Sequence, residues 1–160
     1  MKKRVVIDIS DAKVSNDPDT VLTTYSLGSC IGVALFDPVA KVGGMLHYQL
    51  PASTLDKTKA DRYPCMFADT GMQCLVASMA ALGAVAKRVH VKIAGGATMN
   101  TGPKGFDIGK RNYLAIRKIL WQYGMFIDAE DVGGHSPRNM YLNLVDGAVS
   151  VRSVGLEKTM

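Results

Sequence analysis

Aromatic residues make up only 7% of this chain, with a single tryptophan. Proteins that hold single-stranded nucleic acid stack bases on aromatic side chains set in a basic groove. Here the cations are spread so evenly that no run exceeds Lys2-Lys3-Arg4. No nucleic-acid partner is expected, and the formal net charge of +5 with a pI near 9.2 suits an acidic protein surface better. Long apolar runs are missing too. None approaches the roughly 18 to 20 residues that cross a bilayer, and the stretch behind Lys2-Lys3-Arg4 is too brief for a signal peptide. No membrane insertion is expected, and the sequence reads as cytoplasmic.

Cysteine is scarce and odd in number: Cys30, Cys65 and Cys74 have no framework spacing and should be free thiols in a reducing compartment. No C-x-x-C pair offers a zinc site, and Gly95-Gly96 lacks the spacing and lysine of a phosphate loop. No metal and no cofactor is expected. Internal repeats and domain linkers are absent as well, and 160 residues suit one domain with its own core, spanning 1–160.

What is present is a succession of short apolar runs cut by turn residues. Residues 4–9, 21–26, 31–36 and 42–48 read as strands, with turns at Ser15-Asn16-Asp17-Pro18-Asp19 and Asp37-Pro38. Residues 52–62 are polar and read as a surface loop. Residues 64–82 carry Met66, Phe67, Met72, Leu75, Val76, Met79 and Leu82 at spacings near three and four, which predicts a helix stopped by Gly83. A strand follows at 89–93. Residues 100–105 read as a flexible loop, and Asp107 caps a second helix with Ile108, Leu114, Ile116, Ile119 and Leu120 as its apolar positions and Gly124 as its end. Residues 126–132 make a further strand, and 139–145 and 148–154 a hairpin turning at Asp146-Gly147. The order implies an α/β layered sandwich, a mixed sheet core with two main helices.

Chemistry concentrates at Gly28-Ser29-Cys30-Ile31-Gly32, where the backbone can bend, and at His47, seventeen positions after Cys30. A thiol attacks only as thiolate, and a neighbouring imidazole can take its proton and lower its pKa. Cys65 and Cys74 lie in the helical pattern, where cysteine serves as a small hydrophobe. Cys30 is either an activated nucleophile or a packed residue of a glycine-rich strand. On that first reading it should be alkylated faster than Cys65 or Cys74 near neutral pH. Of the histidines, His90 alternates on a strand and His135 sits in a loop. His47 is favoured because a hairpin about Asp37-Pro38 brings it opposite the segment bearing Cys30. Thr24, near the end of the preceding strand, can orient the imidazole through its hydroxyl or its carbonyl. Backbone N–H groups at Gly28 and Ser29, with Cys30, are candidate oxyanion donors.

Together with Gly43-Gly44-Met45-Leu46-His47, Lys92-Ile93-Ala94-Gly95-Gly96-Ala97, Ile108-Gly109-Lys110-Arg111-Asn112, Glu130-Asp131-Val132-Gly133-Gly134, Arg138 and Gly147-Ala148-Val149-Ser150-Val151-Arg152, these residues resemble the chemoreceptor glutamine deamidase family, CheD, over nearly the whole chain. The resemblance implies an α/β sandwich and a Cys-His-Thr triad of Cys30, His47 and Thr24. It also implies a cofactor-free hydrolysis of glutamine side-chain amides on methyl-accepting chemotaxis receptors, giving glutamate and ammonia through a glutamyl thioester. Some members also hydrolyse receptor methyl esters. The implied partners are the receptor's cytoplasmic domain and, where one exists, a CheC-type phosphatase. The alternative is a chemotaxis adaptor that binds these partners without catalysis. Residues 52–62 and 99–106 are the surfaces expected to meet a partner.

Overall fold

The β-branched runs become strands and the two amphipathic stretches become the main helices. In the computed structural model, which describes residues 2–99 and 107–160, the chain begins with β1 (Lys3–Val6), β2 (Asp11–Ser15), β3 (Thr20–Leu27), β4 (Ile31–Asp37) and β5 (Val42–Tyr48). The short α1 (Lys57–Arg62) and the longer α2 (Ala68–Ala81) follow. Next come β6 (His90–Gly95), α3 (Ile108–Gln122), β7 (Ile127–Val132), β8 (Arg138–Asn143), β9 (Val149–Ser153) and β10 (Leu156–Thr159).

Two five-stranded mixed sheets form, in the orders β1-β3-β8-β9-β10 and β2-β5-β4-β6-β7. Every residue of β4 and β5 is buried, as expected of strands covered on both faces. Alternation sorts their side chains. Ile31, Val33, Leu35, Leu46 and Tyr48 meet Met72, Leu75 and Met79 of α2 and Ile116 and Leu120 of α3. Ala34, Phe36 and Met45 meet Leu22, Leu27, Met140, Leu142 and Val151 of the other sheet. The layers are therefore helices, central sheet and outer sheet, which bears out the expected layered sandwich. Each fully buried Leu, Ile or Val contributes about 1.5–3 kcal/mol through burial alone.

Several elements depart from the sequence reading. Residues 52–62 hold a 3₁₀ turn, Ser53–Leu55, and α1, whose N-terminus Asp56 caps by accepting from the Lys59 N–H. Six residues with only Ala60 buried are too few to print a helical period. The helix expected over 64–82 splits into a 3₁₀ turn, Pro64–Met66, and α2, with Phe67 extended between them. Phe67 bridges Leu50, and Gln49 and Leu50 both donate to the Met66 carbonyl. Strands β2 and β10 went unread because both are short edge strands without a clear alternation, and β10 is exposed throughout. Leu114, expected on the apolar face of α3, is 52% exposed. The loop anticipated at 100–105 lies outside the described residues.

Asp37 anchors the far end of the β4–β5 hairpin. Its buried carboxylate meets Arg88 Nη2 at 2.9 Å and accepts N–H bonds from Val39, Ala40 and Val85. Burial alone would raise this carboxyl, but Arg88 and the three N–H groups outweigh it and hold it down to about 2. Asp37→Asn should cost about 2 kcal/mol near neutral pH. The folded-state value lies below the unfolded 3.8, so this stability is complete above that value and lost as pH falls towards 2. Urea midpoints of parent and variant should converge across that window; a constant gap down to pH 2 would refute the assignment.

Candidate active site

The segment between β3 and β4 carries the chain from the outer sheet to the central one. It begins with a register shift between Thr24 and Leu27, where Ser26 adopts φ 59. The bulge lets Thr24 and Leu27 both point inward. Three successive carbonyls then fasten the crossing. Gly28 O accepts from the Ala97 N–H at 2.9 Å, Ser29 O from Asn112 Nδ2 at 3.0 Å and Cys30 O from the Gly96 N–H at 2.9 Å. Gly95 is required beside this loop: its φ is +111, and a Cβ there would collide with the Cys30 carbonyl oxygen. The Gly28 N–H is engaged by Ser26 O. That of Ser29 has no backbone acceptor among the described residues, and that of Cys30 is directed at the residue's own sulfur.

His47 lies opposite Gly32 in the β4–β5 ladder, so the hairpin about Asp37-Pro38 does bring it beside the Cys30 segment. Residues directly opposite in a ladder share a face, and this face looks towards the outer sheet. Cys30, half-buried, packs against the cluster between the sheets. Across the gap, Thr24 Oγ1 lies 2.7 Å from His47 Nδ1 and 2.8 Å from the Ile7 carbonyl oxygen. The hydroxyl has one proton, and the carbonyl can only accept it. Thr24 therefore accepts from Nδ1–H, which fixes the tautomer and leaves a lone pair on Nε2. Nε2 is buried and has no hydrogen-bond partner among the described residues.

Burial decides the ionisation of both groups. It pushes the Cys30 thiol up to about 11, partly offset by the residue's own N–H, and pushes His47 down to about 4, partly offset by Asp8. Both groups rest neutral, and no hydrogen bond joins the Cys30 thiol to His47 among the described residues. The sequence expectation of a thiol already shifted towards thiolate is thus corrected: desolvation dominates at Cys30, and no ion pair stabilises the anion. Cys65 is pushed up to about 12, first by burial and then by the neighbouring Cys74. It packs on the helix side of the central sheet. His90 is exposed on β6, and His135 is exposed with Nδ1 3.1 Å from the Thr98 carbonyl oxygen. Neither joins Thr24 and His47.

Residues 49–153 match the family profile described as CheD chemotactic sensory transduction. The chain belongs to the CheD family. A CheD relative from Solibacter usitatus, named a probable chemoreceptor glutamine deamidase, is 44% identical over 158 residues, covering 99% of this chain and 94% of its own. One from Syntrophus aciditrophicus with the corresponding name is 46% identical over 151 residues, 94% of each chain. The profile match starts beyond Thr24, Cys30 and His47, whereas the Solibacter alignment spans them. A solved Neisseria meningitidis protein of the DUF152 family superposes with a TM-score of 0.50 at 13% identity, covering 83% of this chain and 63% of that one. That likeness is one of fold.

Two organising residues carried no role in the sequence reading. Asn112 is fully buried, and its Nδ2 donates to Ser29 O and, at 2.8 Å, to Gln49 O, while Tyr48 Oη donates to the Asn112 carbonyl at 2.6 Å. It clamps the Cys30 loop to the strand end that carries His47. The signal was an amide in the row Ile108, Asn112, Ile116, Leu120, where i, i+4 spacing otherwise selects apolar residues. Arg138, 8% exposed, donates to the carbonyls of Gly95 and Gly133 and holds the glycine turns against the same loop.

Peptide-mapped carboxamidomethylation of Cys30 should accelerate with pH towards a midpoint near 11; a midpoint below 8 would mean an activated thiol after all. Asn112→Leu, which removes both side-chain donors, should destabilise the fold by about 2–3 kcal/mol in urea and speed Cys30 alkylation at fixed pH by loosening the loop. Unchanged alkylation in a folded Asn112→Leu variant would deny the clamp.

Proposed function

We propose that this chain is a protein-glutamine deamidase, a protein-glutamine glutaminase that acts in the cytoplasm on the cytoplasmic domains of methyl-accepting chemotaxis receptors. The observation that carries the reading is the Thr24 hydroxyl, which gives its proton to Ile7 O and so leaves His47 Nε2 as a base beside the Cys30 loop. Family membership and the names of the relatives supply the substrate.

In the acylation step Cys30 Sγ attacks the glutamine Cδ as its proton passes to His47 Nε2, and the carbonyl π pair moves onto oxygen. The N–H groups of Ser29 and Cys30 would donate to that oxyanion. Collapse re-forms the carbonyl and breaks the C–N bond, and the imidazolium returns the proton to the departing nitrogen, which leaves as ammonia. Water then attacks the glutamyl thioester, losing a proton to His47, and the thiol leaves as glutamate forms. Methyl esters would follow the same acyl route, with methanol leaving.

The separated pKa values constrain the timing. Forming a free thiolate–imidazolium pair from groups near 11 and 4 costs on the order of 10 kcal/mol. A turnover of about 10 per second corresponds to a barrier of about 16 kcal/mol. Proton transfer therefore fits inside the barrier if it accompanies attack. A CheC-type phosphatase is a second partner implied by the family.

Incubating the protein with a receptor cytoplasmic fragment should add about one mass unit at particular glutamines, and Cys30→Ala should abolish the gain. A gain that survives in Cys30→Ala removes the nucleophile, and binding by both proteins without any gain favours the adaptor role. Thr24→Val should lower kcat about 10²- to 10⁴-fold with little effect on KM, because the imidazole loses its orienting acceptor. Since His47 works as a neutral base, kcat/KM should fall as pH drops through about 4; an acid limb near 6.5 would contradict this environment.

A further inference from the structure

Helix α3 is unlike the rest of the surface. Its fifteen residues include no acidic side chain, and Lys110, Arg111, Arg117 and Lys118 are all exposed. One face is committed to the core through Gly109, Asn112, Ile116 and Leu120. The opposite face exposes Leu114 at 52% and Trp121 at 77%, with Phe126 at 78% just beyond the helix end. Seven residues advance the helix by about two turns and return to within about 20° of the same direction. Leu114 and Trp121 thus form one apolar stripe about 10 Å long, with Lys110 and Arg117 on one side and Arg111 and Lys118 on the other. Among the described residues, Lys110, Arg117 and Lys118 form no ion pair. Arg117 lies over the Tyr113 ring, 5.7 Å from its centroid.

We propose that the solvent face of α3 is a docking surface for an acidic amphipathic helix of the receptor substrate, separate from the contacts around the target glutamine. The proposal rests on the deamidase reading for the identity of the partner. Charge complementarity selects the chemistry: carboxylates flanking an apolar row would meet the cations flanking Leu114 and Trp121. Trp and Arg are the side chains most enriched where interfaces concentrate their binding energy. Position supports the role, since Asn112, between Lys110 and Leu114, reaches the Ser29 carbonyl of the nucleophile loop. The docked helix therefore lies against the element whose Asn112 holds the Cys30 loop, not over Cys30 itself, which packs on the other side of the central sheet. A lipid surface fits less well, because an interfacial helix sinks a broad apolar face into the headgroups, and the broad apolar face of α3 is already buried. A second copy of this chain would set four cations against four.

Trp121 is the only tryptophan, so its emission reports this face directly. Titrating the full-length Cys30→Ala protein with a receptor cytoplasmic fragment should shift the emission to shorter wavelength and reduce acrylamide quenching, both more weakly at high salt. The triple variant Lys110→Glu, Arg117→Glu, Lys118→Glu, checked for folding by circular dichroism, should weaken that binding on the order of tenfold or more. In the otherwise unaltered enzyme the same changes should raise KM for the fragment by a similar factor. They should leave kcat, and hydrolysis of a short neutral glutamine peptide, unchanged. An unresponsive Trp121 at saturating fragment, equal binding by the triple variant, or a shift produced only by phosphatidylglycerol vesicles or by self-association would overturn the docking surface. If Trp121 responds but no glutamine gains mass, the deamidase reading fails and the docking surface stands. Deamidation with a silent Trp121 has the opposite meaning.

Discussion

A single hydroxyl joins the two sheets at their most consequential point. Thr24 belongs to the outer sheet and His47 to the central one, and the hydrogen bond between them crosses a gap packed with apolar side chains. Because the Thr24 proton is already given to Ile7 O, the bond has one direction and the imidazole one tautomer. The surrounding architecture serves that geometry. The bulge in β3 turns Thr24 inward, Gly32 leaves His47 without a side chain opposite, and the clamped loop sets Cys30 on the same face.

The same dry gap sets the electrostatics. Desolvation disfavours charge in either residue, so it raises the thiol and lowers the imidazole. Sites that store a thiolate have a cation or a helix N-terminus beside the sulfur; here burial keeps the sulfur protonated. In the proposed mechanism the energy of charge separation falls within the reaction step, where N–H groups aimed at the oxyanion would offset it. A resting thiol of this kind is also poorly reactive towards adventitious electrophiles.

Much of the fold was legible along the chain. The apolar runs of β4 and β5, the period of α3 from Asp107 to Gly124 and the β8–β9 hairpin all follow from local rules. The misses share a cause. α1, β2 and β10 are too short to print a period, Phe67 is extended because Leu50 pairs with it across the fold, and Leu114 is exposed because the core stripe of α3 is narrower than its run of apolar residues. Cys30 and His47 were readable as a candidate pair because a hairpin joins their strands. Asn112 was not, since nothing local tells which carbonyls a buried amide will find.

Sequence alone therefore determined the class of fold and the family and singled out Cys30 and His47 as candidates, because strand runs, turn residues and motifs are local or short-range properties. Only the tertiary structure decided that the Thr24 hydroxyl rather than its carbonyl holds His47, which histidine nitrogen is left with a free lone pair, and that Cys30 rests protonated. Those depend on the packing of two sheets with no strand in common, and burial between them, not residue type, sets both direction and charge.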